Sequence, residues 1–125
     1  MTFILLNAEQ AERLHDLVLN PGELPGRAQD KSLEGALARV DNRLVYGMIG
    51  DAFDLAAAYA KAIAAGHCFN DGNKRTAYRT MLVCLRLNGI AITHDTQDIG
   101  DRIIRLAQGQ LDEASLADWL RGQAA

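Results

Sequence analysis

Within residues 66–77, GHCFNDGNKRTA, the chain gathers His67, Asp71, Asn73, Lys74 and Arg75 beside a glycine, Gly72. An imidazole, whose ordinary pKa is about 6.5, can take a proton from a hydroxyl that attacks phosphorus. A lone carboxylate such as Asp71 suits Mg²⁺, a cation that takes few protein ligands and shares its shell with substrate phosphates. Lys74 and Arg75 bring positive charge, and an arginine can grip phosphate oxygens as a fork. Asn73 can fix either a phosphate oxygen or the loop itself. Phe69 sits among polar neighbours and points inward as an anchor. A single His or Asp in such a loop is usually just solvated, and Lys74 or Arg75 alone reads as a surface charge. The constellation is what points to chemistry.

The flanking segments decide where these groups stand. Asp51 caps AFDLAAAYAKAIAA, whose Phe53, Ala56, Ala57, Ala60, Ile63 and Ala64 face inward, with Gly66 at the C′ position where positive φ is wanted. A second helix runs from about 74 to 88, apolar on nearly every side, and is therefore expected at the centre of the fold. The polar loop 67–73 joins the end of one helix to the start of the other. A helix N-terminus carries unpaired N–H donors and partial positive charge, and Gly72 lets the backbone approach a ligand closely, so the sequence places a phosphate site here.

Elsewhere Asn7, with Gln10 three residues on, opens a helix that carries Ala11, Leu14, Leu17 and Val18 on one face. Residues 20–31, NPGELPGRAQDK, hold both prolines and form a loop or short hairpin. Ser32 opens a helix with a Leu33, Ala36, Leu37, Val40 stripe, and 41–50 reads as a separate short helix. Gly89 ends the central helix, 90–93 reads as a short extended piece, Thr96 caps a further helix and Asp112 a last one. His15 and His94 are explained by a helix face and a turn, and Trp119 by the core. The architecture is all-α, one domain over 1–125.

The 125-residue chain is 49% hydrophobic but only 6% aromatic, which suits close-packed alanine-rich helices. Its net charge of −3 argues against a general nucleic-acid binder, although 66–77 is locally basic. Two cysteines, Cys68 and Cys84, are too few for a disulfide framework and read as free thiols of a reducing compartment. No basic segment precedes the apolar start and no small-residue cleavage site follows it, and no apolar run nears the roughly 20 residues that span a bilayer. The expected location is cytoplasmic.

The stretch resembles the Fic/Doc motif, HxFx(D/E)GN followed by basic residues. His67, Phe69, Asp71, Gly72, Asn73 and Arg75 match it position for position. Leu24-Pro25-Gly26, Leu33-Glu34, the NKRTA of 73–77 and Leu87-Asn88-Gly89 extend the likeness to the Doc branch. The resemblance implies a compact Fic-like helical bundle around the 74–88 helix, with a flap at 20–31 that lines up a target segment, Leu24 and Pro25 being its candidate docking residues. It implies ATP-dependent modification of a protein hydroxyl, with His67 as base, Asp71 as Mg²⁺ organiser, and Gly72, Asn73, Lys74 and Arg75 as the anion site.

Two departures bear on the reaction. Adenylylating members read GNGR with a second Arg three residues later; here Lys74 replaces the second glycine and Tyr78 the later Arg. The Doc branch shares both departures and presents the γ-phosphate, so the resemblance implies a kinase-type toxin acting on a threonine of elongation factor Tu, with AMP transfer as the alternative. Arg79 lies one turn after Arg75 but about 100° from the family's second Arg; an anion-site role and a surface ion pair both remain open for it. No (S/T)xxxE(G/N) inhibitory helix is present, since Ser32-Leu-Glu34-Gly has the wrong spacing. Restraint is therefore expected from a Phd-like antitoxin in trans, through which alone DNA would be contacted. A catalytically silent antitoxin-binding module is the remaining reading, and intact His67 and Asp71 argue against it.

Overall fold

The computed structural model describes residues 2–124, which form six helices in chain order: α1 (Ala8–Val18), α2 (Leu33–Val45), α3 (Ala52–Gly66), α4 (Asn73–Leu87), α5 (Thr96–Ala107) and α6 (Glu113–Gly122). The protein is all-α, as the periodicity requires. α3 packs against α2, α4, α5 and α6, and α4 against α1, α3 and α5. The predicted central helix thus holds a central place, and α3 shares it. Nine of the fifteen α3 residues are buried, among them Ala56, Ala57, Ala60 and Ala64, whose small side chains let neighbouring backbones come close. α4 is less enclosed than its composition suggests: Leu82 and Val83 are half-buried and Leu87 is exposed.

Local chemistry sets the helix starts. Asn7 and Gln10 make a reciprocal capping box on α1, while Ser32, Asp51 and Asp112 accept from backbone N–H groups of α2, α3 and α6. For α5 the cap is Asp95, whose carboxylate accepts from both Gln97 and Asp98 N–H, and the predicted Thr96 is the first helical residue. The separate helix expected over 41–50 does not form. α2 runs unbroken to Val45, and the chain then turns through Gly47, whose φ is 73°. The expected α1 stripe is also corrected: Ala11 and His15 face the core, whereas Leu17 is 80% exposed.

Charged clasps fasten the ends of the bundle. Arg121 of α6 donates to Asp51 and Asp54 at the start of α3, and Arg43 of α2 forks onto Glu113 at 2.9 and 2.5 Å. Asn88 straps the N-terminal segment down, accepting from Ile4 N–H at 2.8 Å and donating to its carbonyl at 3.0 Å. Among the described residues, no helix is long and apolar enough to cross a membrane.

Burial pushes the Cys84 thiol and the Tyr59 hydroxyl each up to about 12, from ordinary values of 9.0 and 10.0. Groups whose folded pKa is raised add stability that is whole below the unfolded values and is lost as pH rises towards the folded ones. The melting temperature is therefore expected to hold up to about pH 8.5 and to fall progressively between about pH 9 and 12. Cys68 is also buried, and its thiol too is raised. Both cysteines should resist a thiol reagent at pH 8 and react once the chain is unfolded; rapid native-state reaction of Cys84 would contradict the packing.

Candidate active site

The turn between α3 and α4 is shaped by one residue. α3 runs through Gly66, and the left-handed conformation falls on His67 (φ 49°, ψ 43°), not on the glycine where the sequence places it. It is the sole non-glycine with positive φ among the described residues, and histidine tolerates that region better than most side chains. The reversal lifts the imidazole to the surface while sending Cys68 and Phe69 into the core, Phe69 at 2% exposure. Asn73 then clamps the loop. Its Oδ1 accepts from Phe69 N–H at 3.0 Å, and its Nδ2 donates to Phe69 O at 2.9 Å. Of the two uses open to the Asn73 side chain, the structure shows the structural one.

His15 of α1 supports the same loop from below, a role its sequence position conceals. Fully buried, it stacks on Phe69 with ring centroids 3.9 Å apart, and its Nε2 donates to the Asp71 carbonyl at 2.7 Å. The signal available in the sequence was a polar residue one turn after Ala11, on the apolar face of an amphipathic helix.

Five of the six helices close their first turn with a side-chain cap; α4 does not. Its cap is Gly72 (φ 78°), which has no side chain to offer. The N–H groups of Asn73, Lys74 and Arg75 make no hydrogen bond within the described residues. They open on a cavity of about 260 Å³ that His67, Asp71, Gly72, Lys74 and Arg75 line. Open donors, a helix dipole and two cations favour an anion there.

The 20–31 segment lies across this cavity's edge as a loop. It pairs with the motif at Arg27 and Phe69: Asn70 N–H donates to Gly26 O at 3.1 Å and Ala28 N–H to Cys68 O at 2.9 Å. Arg27 ties it to Glu12 of α1 and Glu34 of α2. Two neighbouring residues reach the chemistry itself. Leu24 N–H donates to Asp71 Oδ2 at 2.8 Å, and Glu23 pairs with Arg75, whose other arm donates to Val18 O at 2.6 Å.

Arg75, with help from the Asn20 N–H, holds the Glu23 carboxyl below the usual carboxylate range. A phosphate that takes the Arg75 Nη2 arm competes with Glu23 for it. Glu23→Gln is expected to tighten binding of inorganic tripolyphosphate by roughly three- to fivefold at pH 7, the scale of an exposed ion pair. Because the Glu23 pKa is depressed, its pairing is intact above the ordinary carboxylate range and is lost as pH falls through the lowered value. Wild type and variant should therefore converge in acid. Calorimetric titration at both pH values checks this, and equal affinities at pH 7 would refute the competition.

A sequence model of the Fic/DOC family matches residues 5–85. The chain belongs to the Fic/Doc family. Over 117 residues it is 38% identical to the protein kinase Doc of Escherichia phage P1, covering 93% of this chain and 92% of that protein. Over 99 residues it is 36% identical to the toxin Doc of Mycolicibacterium smegmatis, covering 74% of each. Both relatives place it in the Doc branch.

Set against the Fic/Doc motif, the structure brings His67, Asp71, Gly72, Asn73, Lys74 and Arg75 around one cavity. Arg79 does not line that cavity, but it shares a neighbouring groove with Arg75. That groove, of about 470 Å³, lies between α1 and α4 and is also lined by Leu14, Leu17 and Val18. Tyr78, at the position of the adenylylating members' second Arg, shares its hydroxyl with His94 Nε2 at 2.9 Å. Leu24 and Pro25 are both exposed beside the motif; the Pro25 carbonyl accepts from Asn70 Nδ2 at 3.0 Å. Among the described residues no cluster of three or more metal-binding side chains exists. Asp71 keeps Oδ1 without a protein donor there, so the residues fit a cation that shares its shell with bound phosphates rather than a protein cage.

Proposed function

We propose that this protein is the toxin of a toxin–antitoxin pair and acts as a protein kinase, moving the γ-phosphate of ATP to a threonine hydroxyl of elongation factor Tu and so halting translation. The observation that carries the reading is the uncapped start of α4, opening between a surface imidazole and a carboxylate. The name of the phage relative, a protein kinase, supports the reaction type, and that of the mycobacterial relative, a toxin, supports the biological role.

In this reading the α4 N–H groups, Lys74 and Arg75 receive the γ-phosphate oxygens once Glu23 has been displaced. His67 accepts the proton of the acceptor hydroxyl as its oxygen bonds to the γ-phosphorus. The bond from that phosphorus to the β,γ-bridging oxygen breaks, and ADP leaves with the electron pair. Bound Mg²⁺ supplies charge neutralisation on the phosphates, and Asp71 is the residue that would hold it. Asn73 and His15 act by holding the loop, and Leu24 and Pro25 lie where a target segment would dock. A Phd-like antitoxin supplies restraint in trans and the sole link to DNA, all within the cytoplasm.

AMP transfer is the second reading. It wants a second Arg where Tyr78 stands engaged with His94, which is the observation against it. With elongation factor Tu as acceptor, label from γ-labelled ATP should appear on the factor and label from α-labelled ATP should not. The reverse pattern would establish AMP transfer, and no transfer of either label would favour a silent binding module.

A further inference from the structure

The 20–31 loop reaches the site with almost no core of its own. Pro21, Gly22, Leu24, Pro25 and Gly26 are all exposed, Leu24 at 62%. Apolar burial therefore does little to hold its tip, residues 23–26, and polar bonds must do so. Two of those bonds end on groups that the ligands of the reaction also use. Glu23 pairs with Arg75, for which a phosphate competes, and Leu24 N–H donates to the Asp71 carboxylate, which would hold the cation.

Asn70 supplies the rest. Its backbone N–H donates to Gly26 O at 3.1 Å, and its Nδ2 donates to Pro25 O at 3.0 Å and to Arg27 O at 3.4 Å. One residue thus holds three consecutive carbonyls of the loop. A carboxamide suits the task because its one nitrogen carries two N–H donors, whereas serine has a single donor and ionised aspartate has none. Pro25 has no N–H, so its carbonyl is the one backbone group it can offer the motif.

We propose that Asn70 is a positioning residue, which keeps the acceptor-docking tip of the 20–31 loop in register once nucleotide and cation have claimed Arg75 and Asp71. The inference rests on the phosphate-transfer reading above for the ligands it invokes. The Asn70 bonds run to loop carbonyls and leave Arg75 and Asp71 to those ligands, so the loop stays seated while the site is loaded. The Fic/Doc motif leaves position 70 open between Phe69 and Asp71, so matching the pattern assigns this residue nothing.

The test compares Asn70→Ala and Asn70→Asp with wild type. It reads amide hydrogen exchange at Leu24 and Ala28, without ligand and with saturating Mg–ATP, and initial rates against elongation factor Tu. Exchange should quicken about fivefold or more in both variants, the worth of two ordinary hydrogen bonds. The gap from wild type should widen when Mg–ATP is bound. KM for the acceptor should rise by a similar factor, while kcat and ATP affinity stay within about twofold of wild type. Asn70→Asp keeps the shape and loses the donors, so agreement between the two variants assigns the effect to hydrogen bonding. Wild-type exchange in either variant would overturn the proposal, as would a gap that Mg–ATP leaves unchanged. A loss confined to kcat would also overturn it, by placing Asn70 in the chemistry. Exchange without ligand needs no catalysis. If wild type transfers no phosphate, the phosphate-transfer reading fails, and the exchange still decides whether Asn70 seats the loop.

Discussion

His67→Ala is expected to lower phosphate transfer by about 10²–10⁴-fold, the range of a positioned general base, and to leave ATP affinity nearly unchanged. The split follows from where the imidazole stands. It is exposed at the rim of the motif cavity, and the loop that carries it is held by other groups: Phe69 in the core, Asn73 across the Phe69 backbone, and His15 beneath. None of those contacts uses the His67 side chain. The variant should therefore fold with a melting temperature close to wild type, apart from the small strain of alanine at φ 49°. Single-turnover rates measured with saturating ATP isolate the effect. A variant that keeps its rate would remove His67 from the chemistry, and one that loses ATP binding would make it a positioning residue.

Asp71→Asn is expected to cut Mg²⁺-supported transfer by roughly 10²-fold or more, since a metal's charge stabilisation is worth several kcal/mol. Asparagine is chosen because it keeps the shape and can still accept the Leu24 N–H that Asp71 Oδ2 accepts now. Only the charge is lost. Apparent Mg²⁺ affinity should fall with the rate and be partly recovered at high Mg²⁺. Asp71→Ala also frees Leu24, so it should add loosening of the 20–31 loop to the metal defect. An Asn variant with the wild-type Mg²⁺ dependence would show that Asp71 serves the loop and not the cation.

The parts of this site that were legible in the sequence are those made by neighbours in the chain. The motif, the caps Asn7, Ser32, Asp51 and Asp112, and the inward Phe69 all depend on contacts within a few residues. Where two adjacent residues compete for one local role, sequence reasoning slipped by a position. Asp95 outcompetes Thr96 because its carboxylate reaches two N–H groups. Gly66 looked like the left-handed residue, yet it is glycine for another reason. A Cβ there would stand 3.2 Å from Cys68 Sγ, so the site demands smallness while His67 takes the turn.

Contacts between distant segments were not legible. His15 lies 56 residues from Asp71, and Glu23 lies 52 from Arg75. Nothing in the pattern of either segment announces the other, and it is helix packing that brings them together. For the same reason Arg79 could be assigned to the anion site or to the surface from its spacing alone. Its place on the α1–α4 groove, which Arg75 also lines, follows from how α4 is rotated against α1.

The most direct test of the central claim reads the bond that breaks. A ³¹P NMR spectrum is recorded of ATP, Mg²⁺ and elongation factor Tu incubated with this protein, against the His67→Ala variant as control. The expected result is ADP together with one new phosphomonoester resonance on the factor, both absent with the variant. Pyrophosphate with a phosphodiester resonance would contradict phosphate transfer in favour of AMP transfer, and unchanged ATP would contradict catalysis on this acceptor.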